Sequence, residues 1–133
     1  MMDKKMLEEG TELLIDFEKR GGLIPAVVQD VADGQILMLA YVNPEALKIT
    51  LEKGMATFWS TSRNELWTKG ETSGDFLKIV EILTDCDQDA LIYRVNPQGG
   101  GACHTKDPET GKTRASCFYR KFELPSEKLI YVK

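Results

Sequence analysis

The chain has 133 residues, 42% of them hydrophobic, and a formal net charge of −4 at pH 7. This size and composition suit one domain with one core, and we expect that domain to span residues 1–133. The acidic balance argues against a protein that neutralises a nucleic-acid backbone, and no run of about 18 apolar residues is present to span a membrane.

The N-terminal segment predicts a helix rather than a targeting sequence. From Met1 to Phe17 charged and apolar residues alternate, whereas a secretory signal has a continuous apolar block, so we expect a cytoplasmic protein. From Met2 to Arg20 the apolar residues recur near helical spacing, and Gly21-Gly22 follows as a stop. This pattern predicts one amphipathic helix.

A hairpin and a second helix are predicted next. Leu23 to Val31 and Gln35 to Val42 are rich in Ile, Val and Leu, and the Asp-Gly pair between them is typical of a tight turn joining antiparallel strands. Asn43 then suits a helix N-cap, with Pro44 at the first helical position. We expect this helix to end before Gly54.

Five further short runs of β-branched or aromatic residues are bounded by turn residues and predict strands. They are Met55 to Thr61, Phe76 to Leu83, Ala90 to Val95, Ser116 to Lys121 and Leu129 to Val132. The polar segment Thr105 to Ala115 predicts an exposed loop. The chain therefore predicts an α+β fold, with a mostly antiparallel sheet and two or three packed helices.

Three alternating aspartates are candidate ligands for a hard metal ion. In an extended backbone Asp85, Asp87 and Asp89 would project to one face, about 7 Å apart, with Cys86 on the other face. A bend would bring the carboxylates together instead. Oxygen donors suit Mg²⁺, which would relieve their mutual repulsion. A solvated acidic turn is the alternative interpretation.

The three cysteines are candidate ligands for a soft metal. Cys86, Cys103 and Cys117 cannot all pair within one chain, and thiols in a reducing compartment are buried, catalytic or metal-bound. Their spacing matches no short zinc knuckle, and each could instead be a small buried hydrophobe. Three thiolates with an open fourth position would suit a catalytic zinc.

His104, the only histidine, is a candidate acid or base. In an extended backbone its side chain would point away from that of Cys103, so the two would not bind one ion unless the chain turns there. An unperturbed histidine pKa of about 6.5 suits proton transfer near neutral pH. A surface residue without function is the alternative.

The segment Trp59 to Gly74 concentrates hydroxyls, two cations and two tryptophans, as phosphate recognition would require. The tryptophans could stack on a base, although packing in the core is the favoured interpretation. Gly99 to Gly101 could expose amides to an anion, or form a flexible turn. We take as candidate substrate contacts Trp59, Ser60, Ser62, Arg63, Trp67, Lys69, Glu71 and Ser73.

Together these segments resemble phosphoribosyl-AMP cyclohydrolase, the histidine-biosynthesis enzyme that opens the adenine ring of its substrate. The resemblance is strongest over residues 23–120. It includes the three aspartates and the segments Pro25 to Asp30, Leu37 to Tyr41, Phe58 to Ser60, Ser62-Arg63, Leu66-Trp67, Lys69 to Gly74, Ala102 to Thr105 and Ser116 to Arg120.

This resemblance implies an intimate homodimer with phosphoribosyl-AMP as substrate. The three cysteines would bind Zn²⁺, some donated across the interface, and the three aspartates would bind Mg²⁺. Water activated by zinc would add to C6 of the N1-ribosylated adenine, with His104 assisting a proton transfer. The N1–C6 bond would then break to give the opened formimino product. Magnesium would meet one phosphate, while Arg63, Lys69 and nearby hydroxyls hold the other.

Two features depart from the family pattern, and two other functions compete. The loop Thr105 to Ala115 is longer than in many members, and no pyrophosphohydrolase domain follows, so we expect a monofunctional enzyme. A small metal-stabilised nucleotide-binding module is the non-enzymatic alternative. A zinc nucleobase deaminase-like hydrolase is the other, but its His-x-Glu and Pro-Cys-x-x-Cys motifs are absent. We expect no catalytic role for the N-terminal helix or the tail after Lys121.

Overall fold

The structure, a computed structural model, describes residues 3–132. Within that range there are two α-helices, α1 (Lys4–Glu9) and α2 (Pro44–Lys53), and a short 3₁₀ helix (Glu18–Arg20). The strands are β1 (Ile24–Asp30), β2 (Ile36–Val42), β3 (Thr57–Ser60), β4 (Glu65–Thr68), β5 (Leu77–Thr84), β6 (Leu91–Pro97), β7 (Arg120–Phe122) and β8 (Leu129–Tyr131).

The first six strands form one sheet in the order β4-β3-β2-β1-β6-β5, and β7 and β8 form a separate hairpin. Every neighbouring pair is antiparallel except β1 and β6, which run parallel. The predicted α+β fold with a mostly antiparallel sheet is therefore confirmed. Neither α-helix within residues 3–132 has the length and apolarity needed to cross a membrane.

The six-stranded sheet curls, because the start of its edge strand β5 returns to the segment before β3. The Ala56 N–H donates to the Leu77 carbonyl at 2.9 Å, and the Ile79 N–H donates to the Gly54 carbonyl at 2.8 Å. Gly54 has φ of 72° at the end of α2, a left-handed conformation that suits glycine. The curl encloses the core on the concave side of the sheet.

The core is filled by alternate residues of the central strands, as period-2 geometry requires. Ile24, Ala26 and Val28 of β1 are fully buried. Beside them Tyr93 of β6 lies with its ring centroid 5.8 Å from that of Phe58. Burial raises the pKa of the Tyr93 hydroxyl to about 12, although Thr50 acts in the opposite direction.

The locally encoded elements match their predictions. In α2 the Asn43 side chain accepts a hydrogen bond from the Ala46 N–H at 2.8 Å, which is the predicted N-cap. Strands β1 and β2 and their turn are also confirmed, although β1 is one residue shorter than predicted at each end and β2 is one residue shorter at its start. The runs predicted from residues 55 and 129 contain β3 and β8, whereas β5 and β6 extend one and two residues beyond the predicted ends of their runs. The predicted loop 105–115 is irregular and joined by one isolated bridge, Lys106 to Thr113.

The predicted N-terminal helix from Met2 to Arg20 is wrong in extent, and Met2 lies outside the described residues. The helix ends at Glu9, because Gly10 is extended, with φ −83° and ψ −176°. The following segment instead lies along the turn after β5, where the Leu14 N–H donates to the side-chain oxygen of Gln88 at 2.7 Å. A contact to a residue far along the chain therefore overrides the local helical pattern.

Two strand predictions also need correction. Strand β4 was not predicted, since its four residues lie in the polar segment taken for substrate binding. The predicted strand Ser116 to Lys121 is irregular until Arg120. At the start of this segment the Ser116 hydroxyl donates to the Ile36 carbonyl at 2.6 Å, and the Cys117 N–H donates to the Leu37 carbonyl at 2.7 Å. These separate contacts with β2 replace the regular hydrogen-bond pattern of a strand.

We expect Thr50→Val to lower the free energy of unfolding by about 1–3 kcal/mol. The buried Thr50 hydroxyl donates to the Ala46 carbonyl at 2.9 Å and accepts from the Thr57 N–H at 3.0 Å. Valine keeps the shape but leaves that N–H without an acceptor. Urea denaturation measures the change, and Thr11→Val, at an exposed threonine, serves as the control. Equal stabilities for the two variants would contradict the assignment.

Candidate active site

A cavity of about 620 Å³ lies between the segment that follows β3 and the two cysteine-containing segments near the C-terminus. Its lining also includes Met38 of β2 and Thr113 of the long loop. Eight residues predicted from the sequence line it: Arg63, Trp67, Lys69, Glu71, Ser73, Cys103, His104 and Cys117. The fold therefore brings a histidine, two thiols and two cations to one cavity.

Glycines allow the walls of this cavity to approach closely. A Cβ on Gly101 would lie 1.9 Å from the Arg114 carbonyl oxygen, and one on Gly99 would lie 2.5 Å from Oδ1 of Asp75. The Gly101 N–H donates to the Thr113 hydroxyl at 2.7 Å, and the Gly100 N–H donates to Asp75 at 2.5 Å. Two of the three amides of Gly99 to Gly101 therefore already have protein acceptors, which leaves fewer of them for the predicted contact with an anion.

Cys103 is buried in the lining of the cavity and forms hydrogen bonds with Thr105. The Thr105 hydroxyl lies 2.9 Å from Sγ of Cys103, and the Thr105 N–H donates to the same sulfur at 3.4 Å. Arg114 Nη1 donates to the Thr105 hydroxyl oxygen at 3.0 Å, so the hydroxyl proton can point at the sulfur. Burial raises the pKa of Cys103, but these hydrogen bonds outweigh it and lower the pKa overall.

Cys117 lies next to Cys103 and is affected in the opposite direction. Desolvation, and after it the charge of and hydrogen bond with Cys103, raise the pKa of the Cys117 thiol to about 11, although Lys69 acts in the opposite direction. Ionisation of one sulfur disfavours ionisation of its neighbour, and further positive charge would be needed to keep both as thiolates. A thiolate-binding metal such as zinc would supply that charge, so this pair fits part of a zinc site.

The chain bends at Cys103 and His104, so the extended backbone assumed from the sequence is wrong here. Both side chains therefore reach the same cavity, His104 from its exposed rim. An exposed imidazole beside the thiols can exchange protons with solvent and with a bound ligand. This position suits an acid or base.

The aspartate turn, residues 85–90, is bent rather than extended, which corrects the predicted spacing of about 7 Å. The left-handed conformation of Gln88, φ 52°, reverses the chain. One ligand oxygen each from Asp85, Asp87 and Asp89 then lies within 4.8 Å of the others. The carboxylates converge, as a hard cation such as Mg²⁺ requires.

The surroundings of Asp85 and Asp89 in this turn shift the pKa values of the two carboxyls in opposite directions. Oδ1 of Asp85 accepts from the N–H groups of Asp89 and Ala90 at 3.0 and 3.1 Å. Burial raises the pKa of Asp85, but the hydrogen bonds from Asp89 and Ala90 outweigh it and lower the pKa. The pKa of Asp89 is raised because its carboxyl shares protons with Asp85 and Asp87, although the Arg20 guanidinium opposes this rise. A divalent cation would relieve the same repulsion.

Cys86 is exposed in the aspartate turn and lies outside the lining of the cavity. Among residues 3–132, the aspartates are the one set of three His, Cys, Asp or Glu side chains with ligand atoms that close together. A single chain therefore brings together two of the three predicted zinc ligands, Cys103 and Cys117.

Three of the predicted substrate contacts lie outside the cavity. Trp59 pairs with Tyr41 between β3 and β2. Ser60 is buried, with its hydroxyl 3.3 Å from that of Ser62, and it accepts from the Arg63 N–H at 3.2 Å. These serines shape the turn between β3 and β4. Trp67 lines the cavity while its ring packs 5.1 Å from that of Phe58, so it belongs to both core and site.

Sequence reasoning missed the residues that support the ligands. Thr105 and Arg114 act on Cys103, and Gln88 shapes the aspartate turn. Thr105 stands two residues from a candidate ligand and carries a hydroxyl, which is a usable sequence signal. The contact of Arg114 with Thr105 depends on the fold of the loop and has no such signal.

Comparisons with known proteins identify the family of this chain. The family described as phosphoribosyl-AMP cyclohydrolase matches residues 38–119, a range that contains all three cysteines and all three aspartates. A phosphoribosyl-AMP cyclohydrolase of Desulfatibacillum aliphaticivorans is 51% identical over 109 residues, covering 82% of each chain. One of Brucella anthropi is 52% identical over 120 residues, covering 90% of this chain and 79% of the relative. One of Brucella canis is 51% identical over 120 residues, covering 90% and 81%.

We expect Gly101→Ala to lower the free energy of unfolding by about 3 kcal/mol, the upper end of the usual cost of overpacking. The new methyl group would displace the Arg114 carbonyl, which accepts from the Cys103 N–H at 3.1 Å. Gly111→Ala is the matched control, because Gly111 has φ +72° and open space around it. It should cost only about 1–2 kcal/mol for its left-handed backbone. A Gly101→Ala variant with an unchanged free energy of unfolding in urea would refute the close approach of Gly101 to the Arg114 carbonyl.

Proposed function

This chain belongs to the phosphoribosyl-AMP cyclohydrolase family, and on that premise we propose that it hydrolyses the N1–C6 bond of phosphoribosyl-AMP in the cavity described above. One observation supports this location more than any other. Cys103, Cys117 and His104 line the same cavity as Arg63 and Lys69, so groups for bond cleavage and for phosphate binding lie together.

Zinc would be held by Cys103 and Cys117 of one subunit and Cys86 of the partner subunit. The first two thiols are adjacent in the cavity, whereas Cys86 is exposed elsewhere in the same chain. When bound, zinc supplies an activated water at neutral pH and positive charge beside the reacting carbon. Thr105 orients Cys103 toward this role through its two contacts with the sulfur.

A homodimer is supported by the C-terminal hairpin as well as by Cys86. Phe122, Leu124 and Tyr131 are 61%, 83% and 63% exposed. A two-stranded hairpin that buries so little is marginally stable in water by itself. Packing against a second copy would cover these side chains, and the same contact could bring Cys86 to the cavity of the partner.

His104 would carry the proton that the reaction must relocate. Addition of water to C6 releases a proton, and cleavage of the N1–C6 bond requires a proton on the departing N1. The imidazole can accept the first and donate the second, since a histidine ring has one nitrogen that accepts a proton and one that donates it. Its exposed position in the cavity lining, beside Cys103, supports this role.

The two phosphates of the substrate would be held by separate groups. The Arg63 side chain is 61% exposed and lies 3.5 Å from Glu65, so it is free to turn toward a phosphate. Lys69, Glu71 and Ser73 continue the same wall of the cavity. The three aspartates would hold Mg²⁺, which neutralises phosphate charge when bound.

The central test of the function is to incubate the purified protein with phosphoribosyl-AMP and follow the ultraviolet spectrum on ring opening. We expect turnover with zinc present, none after a zinc chelator has removed it, and recovery when zinc is restored. A folded but inactive metal-free protein separates a catalytic zinc from one that only supports folding. Full turnover in zinc-free protein would refute the proposed role of the thiols.

Cys103→Ser should abolish turnover and lower the zinc bound per subunit, because serine does not replace a buried thiolate as a soft ligand. Atomic absorption measures the metal, and circular dichroism checks that the fold persists. A Cys103→Ser variant with unchanged zinc content would remove Cys103 from the ligand set.

Mixed subunits test whether the zinc site is shared. When Cys86→Ser and Cys103→Ser subunits are unfolded together and refolded, half of the dimers carry both. Each of these has one intact site, so about a quarter of wild-type activity should return. The control mixture, Cys103→Ser with Cys117→Ser, should stay inactive, because both ligands belong to the same half-site. Recovery in both mixtures, or in neither, would contradict the assignment.

A further inference from the structure

We propose that the N-terminal clasp, residues 3–20, sets the divalent-cation affinity of the aspartate turn through two contacts with opposite effects. Gln88 anchors the turn to the clasp and so preserves the cation site, whereas Arg20 occupies one of its ligands. The inference rests on the proposed cation site at the aspartates. It assigns a positioning role to a segment for which the sequence suggested none.

Gln88 is the anchor between the turn and the clasp. Its side-chain amide donates to the carbonyls of Leu7 and Glu12 at 3.0 and 3.2 Å, and its oxygen accepts from the Leu14 N–H at 2.7 Å. Gln88 is only 6% exposed, whereas its neighbour Asp85 is exposed. A buried amide with three backbone partners holds the turn firmly to the clasp.

The anchor matters because Gln88 has an unfavourable backbone conformation. Its φ of 52° lies in the left-handed region, which residues other than glycine, asparagine and aspartate seldom adopt. This conformation reverses the chain and lets Asp85, Asp87 and Asp89 converge to within 4.8 Å. Without the side-chain anchor the turn would relax toward commoner conformations, and the carboxylates would separate.

Arg20 acts against cation binding. Its guanidinium forms a salt bridge and a hydrogen bond with Oδ2 of Asp89, at the end of the clasp. A divalent cation that uses this carboxylate must displace the guanidinium or share the oxygens with it. Cation binding and the Arg20 contact therefore oppose each other, and by linkage each weakens the other.

Mn²⁺ binding to the zinc-saturated protein, measured by electron paramagnetic resonance, tests both contacts. Zinc saturation keeps Mn²⁺ away from the cysteines. Gln88→Leu should weaken Mn²⁺ binding on the order of tenfold, the usual effect of losing support behind a metal ligand. Arg20→Gln should strengthen it by about two- to fivefold, as expected for release of an exposed ion pair. A general loss of stability would not produce opposite changes.

Two controls locate the effects. Gln98→Leu alters an exposed glutamine whose side chain donates only to the Asn96 carbonyl, and it should leave Mn²⁺ affinity unchanged. Asp87→Asn should remove most Mn²⁺ binding and so identify the site. Amide hydrogen exchange at Leu14 should accelerate in Gln88→Leu but not in Gln98→Leu.

Several outcomes would overturn the inference. Unchanged Mn²⁺ affinity in Gln88→Leu, with faster exchange at Leu14, would mean that the clasp has no influence on the turn. Weaker binding in Arg20→Gln would make that arginine a support rather than a competitor. A wild-type protein that binds no Mn²⁺ at the aspartates would remove the premise, while leaving the zinc-dependent ring opening to stand on its own assay.

Discussion

The backbone contact between residues 102–103 and 114–115 is the constraint on which the cavity depends. The Ala102 N–H donates to the Ala115 carbonyl and the Cys103 N–H to the Arg114 carbonyl, both at 3.1 Å. Only a residue without a Cβ can occupy position 101 at this approach. This contact fixes the distance between the segments of Cys103 and Cys117, so that both thiols and His104 share one cavity with Arg63 and Lys69.

The two groups of candidate metal ligands are built on different physical principles. Cys103 and Cys117 lie close together, and desolvation and hydrogen bonding affect their thiols in opposite directions. The pKa of Cys103 is lowered and that of Cys117 is raised. The aspartates lie in a turn at the surface, where the carboxylates converge and Asp89 forms a salt bridge with Arg20. A soft ion gains most from the first setting and a hard, hydrated ion from the second. If both proposed metals bind, the chemistry of the ligands would be enough to direct each metal to its own site.

The parts of the fold that the sequence predicts are those encoded within a few residues. The cap at Asn43 and the Asp-Gly turn before β2 decide their elements locally, and both are present. The predicted length of the N-terminal helix is wrong because the side chain of Gln88, far along the chain, forms hydrogen bonds with the backbone of this segment. The extended geometry predicted for the three aspartates is wrong for a similar reason, since periodicity carries no information about the buried Gln88 side chain. The types of site residue were thus predictable, but their convergence was not.

One chain brings only Cys103 and Cys117 of the three candidate zinc ligands together, so the proposed catalysis would depend on association of two chains. In the proposed homodimer Cys86 and the pair Cys103 and Cys117 come from different subunits, so assembly, metal binding and formation of the cavity become one linked equilibrium. Each contact that covers the exposed hairpin then also favours the zinc site, and each bound zinc favours the dimer. On this proposal a monomer would retain Arg63 and Lys69 in the cavity while lacking a third thiolate. The proposal thus assigns substrate binding to the single chain and bond cleavage to the associated pair.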